Sequence, residues 1–386
     1  MRPDLGLLDE SLVPEHAREV KREAREFADE HVAPVAEEHF RADDYPWEVL
    51  EAGQEAGLVG QDVPEEYGGR GLDLFEMLAT AEEFYRADAG IGLTMMLASF
   101  GTELVYEYGT DRQCEEHVRP VAEGEQISGL AVSEPQTGSD LAGMTTRAEA
   151  VDGGYEITGE KYWVGNAVEG DWLAVYAKTD DSEDRYGNYS LFIVETERDG
   201  YEAEHIPEKM GMRASKQGHI VMEDCFVPEE NLIGAEGGGF YMLADFFNHG
   251  RVVVGGHGIG LAAAAIEEAW TFVHDREAFD RNISEFQSVQ HDLADMRTDF
   301  EAARSLNWRA AEKLHEGEDA GLWAAMAKLK STETAVDCAE RGMQLHGGRS
   351  ILTERRIARV YRDVRIPVIY EGASEVQRNL VYRQST

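Results

Sequence analysis

The spacing of apolar residues changes twice along this chain, and that double change limits the fold more than any single motif does. Residues 11–124 read as helical: charged stretches such as 15–30 carry apolar residues at Val20, Phe27 and Val32, and breaks fall at Gly57, Gly68-Gly69 and Gly109. Over residues 127–234 the pattern turns to short β-type runs at 127–132, 155–157, 172–176, 189–194 and 220–227. Gly, Asp and Asn punctuate them in the manner of an antiparallel sheet. Helical spacing then returns in two stripes, Phe286, Val289, Leu293, Met296, Phe300 and Ala303, then Leu322, Met326, Leu329, Val336, Ala339 and Met343, which read as bundle core. The predicted class is α+β, with an N-terminal α-helical domain (1–125), a middle antiparallel β domain (126–237) and a C-terminal helical bundle (238–386).

Composition narrows the partners. Asp and Glu number 76 against 36 Lys and Arg, a formal charge of −40, which argues against a nucleic-acid or anionic-membrane partner. The acidity is spread rather than gathered in a tail, a pattern suited to high salt, where the Debye length falls to about 3 Å near 1 M. Cys114, Cys225 and Cys338 lie far apart without a CxxC pair, as expected of a reducing cytoplasm. No metal site is expected: neither His249 nor His346 has a second ligand four residues on, and both read as polar packing. Met1-Arg2-Pro3-Asp4 lacks the apolar core of a signal peptide, and no run approaches 18 apolar residues, so a cytoplasmic chain without membrane insertion is expected.

Three segments carry chemistry. Tyr370-Glu371-Gly372-Ala373-Ser374-Glu375-Val376-Gln377-Arg378 sets a carboxylate beside a glycine, where the backbone can pass close to a ligand and neighbouring Ile369 and Tyr370 can desolvate Glu371 into a working base. Ala131-Val132-Ser133-Glu134-Pro135-Gln136-Thr137-Gly138-Ser139-Asp140 follows a β-type run and joins hydroxyls to a proline-fixed turn. Lys161-Tyr162-Trp163-Val164-Gly165-Asn166 adds an aromatic. With Val63-Pro64-Glu65-Glu66-Tyr67-Gly68-Gly69, Met210-Gly211-Met212-Arg213-Ala214-Ser215, Arg276-Glu277-Ala278-Phe279, Gln344-Leu345-His346-Gly347-Gly348 and Tyr361-Arg362-Asp363, in this order across nearly the whole chain, the sequence resembles the acyl-CoA dehydrogenase family.

The resemblance implies a four-helix C-terminal bundle, FAD as cofactor, and α,β-dehydrogenation of an acyl-CoA thioester to the trans-2-enoyl-CoA. Glu371 would remove the α-proton as the β-hydride moves to the flavin, with the Glu371 N–H and a flavin hydroxyl polarising the thioester carbonyl. By the same resemblance Leu130, Val132, Ser133 and Trp163 would wall the flavin, Ser139 would reach CoA, Asn248 and Arg251 would lie beside the substrate, and Tyr370 and Gly372 would flank the base. Arg276 would meet the FAD pyrophosphate, with Phe279 near the adenine and Gln287 as a weaker contact. Gln344, Gly347 and Gly348 would reach across a dimer interface, so that Arg276 and the 344–348 segment serve one cofactor from two subunits of a homotetramer. Ser374 and Glu375 would touch the cofactor. Two departures stand out: Gly165 and Ala373 occupy positions where the family commonly has threonine. Some branches carry the base in the residue before the site arginine, which here is Gly250. Electrons would pass to an electron-transfer flavoprotein. The alternatives are a flavin oxidase or monooxygenase on the same fold, or a non-catalytic CoA-binding subunit; the presence of Glu371 argues against the monooxygenase and the last, and chain length against the longer oxidases.

Overall fold

The computed structural model describes residues 5–385 except residue 319, so the reading of Met1-Arg2-Pro3-Asp4 lies outside it. The N-terminal helices that matter for the site are α1 (Arg18–Phe27), α2 (Leu74–Ala87) and α3 (Ala89–Leu97). A capping box starts α2: the Asp73 carboxylate accepts from the Phe75 and Glu76 N–H groups, and Glu76 accepts from the Asp73 N–H at 2.9 Å. This helix is buried on all sides because it lies between α1 and the long helix α4 (Gly239–Asp275). Phe84 and Tyr85 of α2 thus share one core with Ile259 and Leu261 of α4, and the first helical region packs as part of the bundle. Buried Glu82 is held ionised within that core. Burial opposes its charge, but Arg304 and Lys21 outweigh it, and the Trp308 indole adds a 2.9 Å hydrogen bond.

The middle region is one eight-stranded sheet: β1 (Ser128–Ala131), β2 (Arg147–Val151), β3 (Gly154–Gly165), β4 (Trp172–Lys178), β5 (Tyr189–Glu195), β6 (Tyr201–His205), β7 (Gln217–Pro228) and β8 (Leu232–Ile233). Its order is β6-β7-β3-β2-β4-β5-β8, with β1 beside β4. The antiparallel expectation fails at β1, which runs parallel to β4 from Ser128↔Trp172, and at the Arg147↔Lys178 contact of β2 with β4. Parallel neighbours need a long crossover, supplied here by the 132–146 loop and the β2–β3 hairpin. The β-type runs had left out β2 and β6, whose polar, glutamate-bearing sequences sit half out of the core.

The C-terminal region adds α5 (Gln287–His315), α6 (Ala320–His346), α7 (Arg356–Asp363) and α8 (Ser374–Gln384). In α5 the predicted stripe is core, with Leu293, Met296, Phe300 and Ala303 buried. In α6 only Ala339 of the predicted stripe is fully buried: Leu322, Met326, Leu329, Val336 and Met343 are half-buried, and the face turned inward also carries Ala324, Ala327, Lys328, Ser331, Ala335, Cys338 and Gly342. Close approach to α4 explains the choice of small residues. At the contact, a Cβ on Gly258 would stand 2.7 Å from the Ser331 backbone. Gly255, Gly256 and Gly260 of α4 are pressed in the same way against Asn307, Leu78 and Glu82. The expectation of no long apolar run is also corrected. Residues 89–108 and helix α4 reach the length and mean hydropathy of a membrane span, yet 72% and 89% of those windows are buried inside the protein.

Candidate active site

The turn between α7 and α8 places Glu371 with its backbone in the left-handed region (φ 49°), followed by Gly372 at φ 93°. A glutamate gains nothing locally from that conformation, so the surroundings must hold it. They do so from two helices. Lys328 of α6 donates to the Gly372 carbonyl at 2.6 Å, and the Gln377 carboxamide of α8 donates to the Glu371 and Gly372 carbonyls at 3.1 and 2.9 Å. Among the described residues nothing accepts the Glu371 N–H.

Glu371 is half-buried, with its Oε2 enclosed and without a hydrogen-bond partner. Burial pushes it up to about 7, against the opposing pull of Lys328 and Arg251. Desolvation wins because neither cation bonds to Oε2. Across from it on α4, Gly250 leaves the room that the carboxylate fills, since a Cβ there would lie 2.5 Å from Oε2. The next residue, Arg251, donates from Nη1 to the Asn248 carboxamide oxygen at 2.9 Å. Tyr370 shares a 2.6 Å hydrogen bond with His257 Nδ1, and the His257 ring stacks on Tyr85 at 3.8 Å. Burial, with Lys328 nearby, pulls His257 down to about 3, so it is neutral. Asn248, Arg251, Tyr370, Glu371 and Gly372 therefore form one cluster.

A second cluster lies on the sheet. The β3–β7 register shifts between Tyr162 and Val164, a bulge that leaves Trp163 at φ 65° and 60% exposed. Bulges re-aim side chains beside sites, and this one turns an indole outward where regular pleating would not. Beside it, the Tyr162 N–H donates to the Ser133 carbonyl at 2.8 Å, and Lys161 donates to the Val132 carbonyl and the Glu134 carboxylate, both at 3.0 Å. Burial pulls Lys161 down to about 8; for Glu134 burial is overcome by Lys161 and the Thr145 and Thr146 N–H groups, which hold it at about 2. Both stay charged at neutral pH, pinning the loop that carries Ser133. Leu130 and Val132 are buried beneath it, and Ser139 is exposed on the loop. At Gly165 the space of a missing side chain is taken by Leu97 of α3, 2.8 Å from an ideal Cβ.

The third cluster is remote from the base in the same chain. Arg251 and Arg276 are 25 residues apart on α4 and at its end, about 37 Å at 1.5 Å per residue. Arg276 shares a cavity of about 610 Å³ with His346, Arg349 and Arg355. Phe279, at the tip of a two-stranded hairpin, is 88% exposed at φ 54°. Gln344, Gly347, Gly348 and Gln287 are exposed too. A Cβ on Gly348 would meet nothing within 4 Å of its own chain, so no internal contact requires that glycine. Within one chain α4 and α6 end together, so that His346 and Arg349 beside the 344–348 segment line the same cavity as Arg276. His346 is a packing residue, bonded to the Gly342 carbonyl at 2.8 Å and stacked on Phe272. Ser374 and Glu375 line a separate cavity of about 310 Å³ with Arg365 and Asp337, and the buried Ser374 Oγ has no partner. Ala373 caps α8 without a side-chain bond. Among the described residues no group of three or more His, Cys, Asp or Glu could hold a metal.

Three family models match in register: acyl-CoA dehydrogenase N-terminal domain over 14–125, middle domain over 129–225 and C-terminal domain over 237–386. The chain belongs to the acyl-CoA dehydrogenase family. It is 34% identical over 364 residues to a 3-(aryl)acrylate reductase of Clostridium sporogenes (94% of this chain, 96% of that one). It is 33% identical over 370 residues to the mitochondrial short-chain specific acyl-CoA dehydrogenase of Mus musculus (96% and 90%). A chain in the solved structure described as "Electron transferring flavoprotein of Acidaminococcus fermentans: Towards a mechanism of flavin-based electron bifurcation" superposes at TM-score 0.93 with 33% identity, covering 97% of this chain and 98% of that one. The protein is thus an FAD-dependent acyl-CoA dehydrogenase, an oxidoreductase.

The residues present fit FAD. An outward indole, an 88% exposed phenylalanine at positive φ and an arginine-lined cavity leave aromatic faces and positive charge open to a ligand with flat rings and phosphates. Several site residues were missed in the sequence. Lys328, His257 and Tyr85 carry no motif there, and Gln377 stands only as part of the 370–378 segment. Glu103 was missed too: burial, with Asp62 beside it, pushes its carboxyl up to about 8, and it feels the charge of Glu371.

Proposed function

We propose that this acyl-CoA dehydrogenase converts a short acyl-CoA to its trans-2-enoyl-CoA with Glu371 as base and passes the electrons to an electron-transfer flavoprotein. The observation that carries the reading is the unpartnered Glu371 Oε2, held near neutral proton affinity opposite Gly250. As carboxylate, Glu371 takes the substrate α-proton at Oε2, and its unpaired backbone N–H donates to the thioester carbonyl as negative charge develops there. FAD, when bound, would supply the acceptor for the β-hydride. Trp163, Ser133, Leu130 and Val132 would line the flavin site and exclude water from it. A short chain is supported by the similarity to the short-chain enzyme and by the Phe100, Phe246 and Phe247 rings, packed at 5.3 and 5.5 Å beside Asn248 and Arg251. Electron transfer to a flavoprotein is supported by the third comparison. A C4 to C16 acyl-CoA panel, scored by anaerobic flavin bleaching, tests the reading; preference for the longest chains would overturn the substrate assignment.

Because Arg276 and Arg251, the latter beside Glu371, lie about 37 Å apart along α4, the cofactor is proposed to bridge two subunits of a dimer of dimers. Gln344→Ala with Gly348→Val, where the valine meets no clash in its own chain, is expected to lower FAD retention and dimer stability together. An active, FAD-saturated monomer in light scattering would overturn it.

With a formal charge of −40, the protein is further proposed to need salt. Raising KCl from about 0.05 M to about 2 M should raise the melting temperature and lower KM for polyanionic CoA esters. Flat values of both would remove the proposal.

A further inference from the structure

Lys328 is an unusual occupant of the α6 inner face. It is fully buried among alanines, serines and threonines, and its side chain crosses to the turn that carries the base. Its ammonium ends on the Gly372 carbonyl at 2.6 Å, directly after the base, and makes no bond to Glu371 Oε2. The arrangement solves two problems at once. A buried ammonium in direct contact with the base would hold the carboxylate ionised and occupied; one residue further on, it anchors the backbone and leaves Oε2 free. Gln377 grips the Gly372 carbonyl and the Glu371 carbonyl from the opposite helix but brings no charge.

Resting on the reading of Glu371 as the base, we propose that Lys328 is a positioning residue for proton transfer: it fixes the left-handed Glu371-Gly372 turn through the Gly372 carbonyl and lends the unpaired carboxylate a positive field from outside contact distance. The charged groups that act on Lys328 are Glu371, Arg251 on α4, Glu333 on its own helix and Glu375 on α8; burial lowers it to about 8, with Glu371 pulling back. His257 of α4, also near, is neutral. At neutral pH the ammonium is therefore present, and together with Arg251 it opposes the desolvation that raises Glu371.

Without the ammonium, Glu371 titrates higher, so flavin reduction should require a higher pH. In the FAD holoenzyme, Lys328→Gln keeps a donor for the Gly372 carbonyl and loses the charge, whereas Lys328→Met loses both. The rate of anaerobic flavin reduction at saturating acyl-CoA, followed over pH about 6 to 10, is expected to keep its shape in both variants. Its midpoint should rise by about one pH unit or more, with acyl-CoA affinity changed less than about threefold. Lys328→Arg should restore the midpoint. Gln377→Leu, which loosens the turn and keeps the cation, should slow reduction without moving the midpoint. A second readout needs no turnover: the melting difference between the enzyme and its Glu371→Gln variant should level off at a higher pH, and reach a larger final size, in the Lys328→Gln background. If Lys328→Met fails to retain FAD, Lys328→Gln decides alone. Parent-like midpoints in the neutral variants would overturn the proposal. An unchanged profile in Glu371→Gln itself would instead remove the base assignment beneath it.

Discussion

The Glu371→Gln enzyme is expected to bind FAD and acyl-CoA as the parent does and to fail to bleach its flavin, with flavin reduction slowed on the order of 10² to 10⁴. The amide has the volume of the carboxylate and leaves the turn intact, because Lys328 and Gln377 hold main-chain carbonyls rather than the side chain. What is lost is the one group able to accept a proton at that point. In the parent, reduction should climb with pH through about 7, where Glu371 ionises. The same proton affinity has a stability consequence with a definite sign. Glu371 is raised from 4.5 to about 7 in the folded protein, so the native state holds its proton more tightly than the unfolded chain does. Stability then falls as pH rises from 4.5 to 7, with a ceiling of about 3 kcal/mol. Glutamine removes that penalty. The variant should melt higher than the parent at about pH 8 and equally below about pH 4.5. Parent-like bleaching by Glu371→Gln would sink the assignment, whatever the melting curves show.

A methyl group at position 250 is expected to be nearly as damaging. The ideal Cβ lies 2.5 Å from Glu371 Oε2, so either the carboxylate or the helix must move. Displacement of a reacting group by about 1 Å costs on the order of 10² in rate. The test is unusually clean because alanine within a helix stabilises it relative to glycine by about 1 kcal/mol. Gly250→Ala should thus lose flavin reduction while melting no lower than the parent, which separates lost chemistry from lost structure. The complementary double variant, Gly250→Glu with Glu371→Gly, brings a carboxylate into the same space from α4 and is expected to recover part of the rate. Full-speed reduction by Gly250→Ala would show that the base acts from elsewhere.

Much of the fold and part of the site were legible in the sequence. The three regions follow from spacing alone, and Glu371, Trp163 and Phe279 stood out by motif before the backbone showed all three at positive φ. The unread parts share a cause: they depend on what packs against a segment. Half-polar β2 and β6 become strands only by pairing with neighbours. The inner face of α6 is small rather than oily because α4 comes so close. Trp163 points outward because of a register slip that no local pattern encodes. Lys328 and His257 look like interruptions of a stripe until the turn they support is folded over them.

The crowded glycines of α4 bear on how sequence change would be tolerated. At positions 255, 256, 258 and 260 even one added carbon meets Asn307, Leu78, the Ser331 backbone or the Glu82 carbonyl. None of these is a reacting group. A saturation survey read by activity would nevertheless mark this stretch as no less critical than Glu371, and only a parallel readout of soluble, cofactor-loaded protein would reveal that the lesion is one of assembly. The heart of the longest helix is where an inherited or engineered change would do most harm while leaving every chemical participant in the sequence untouched.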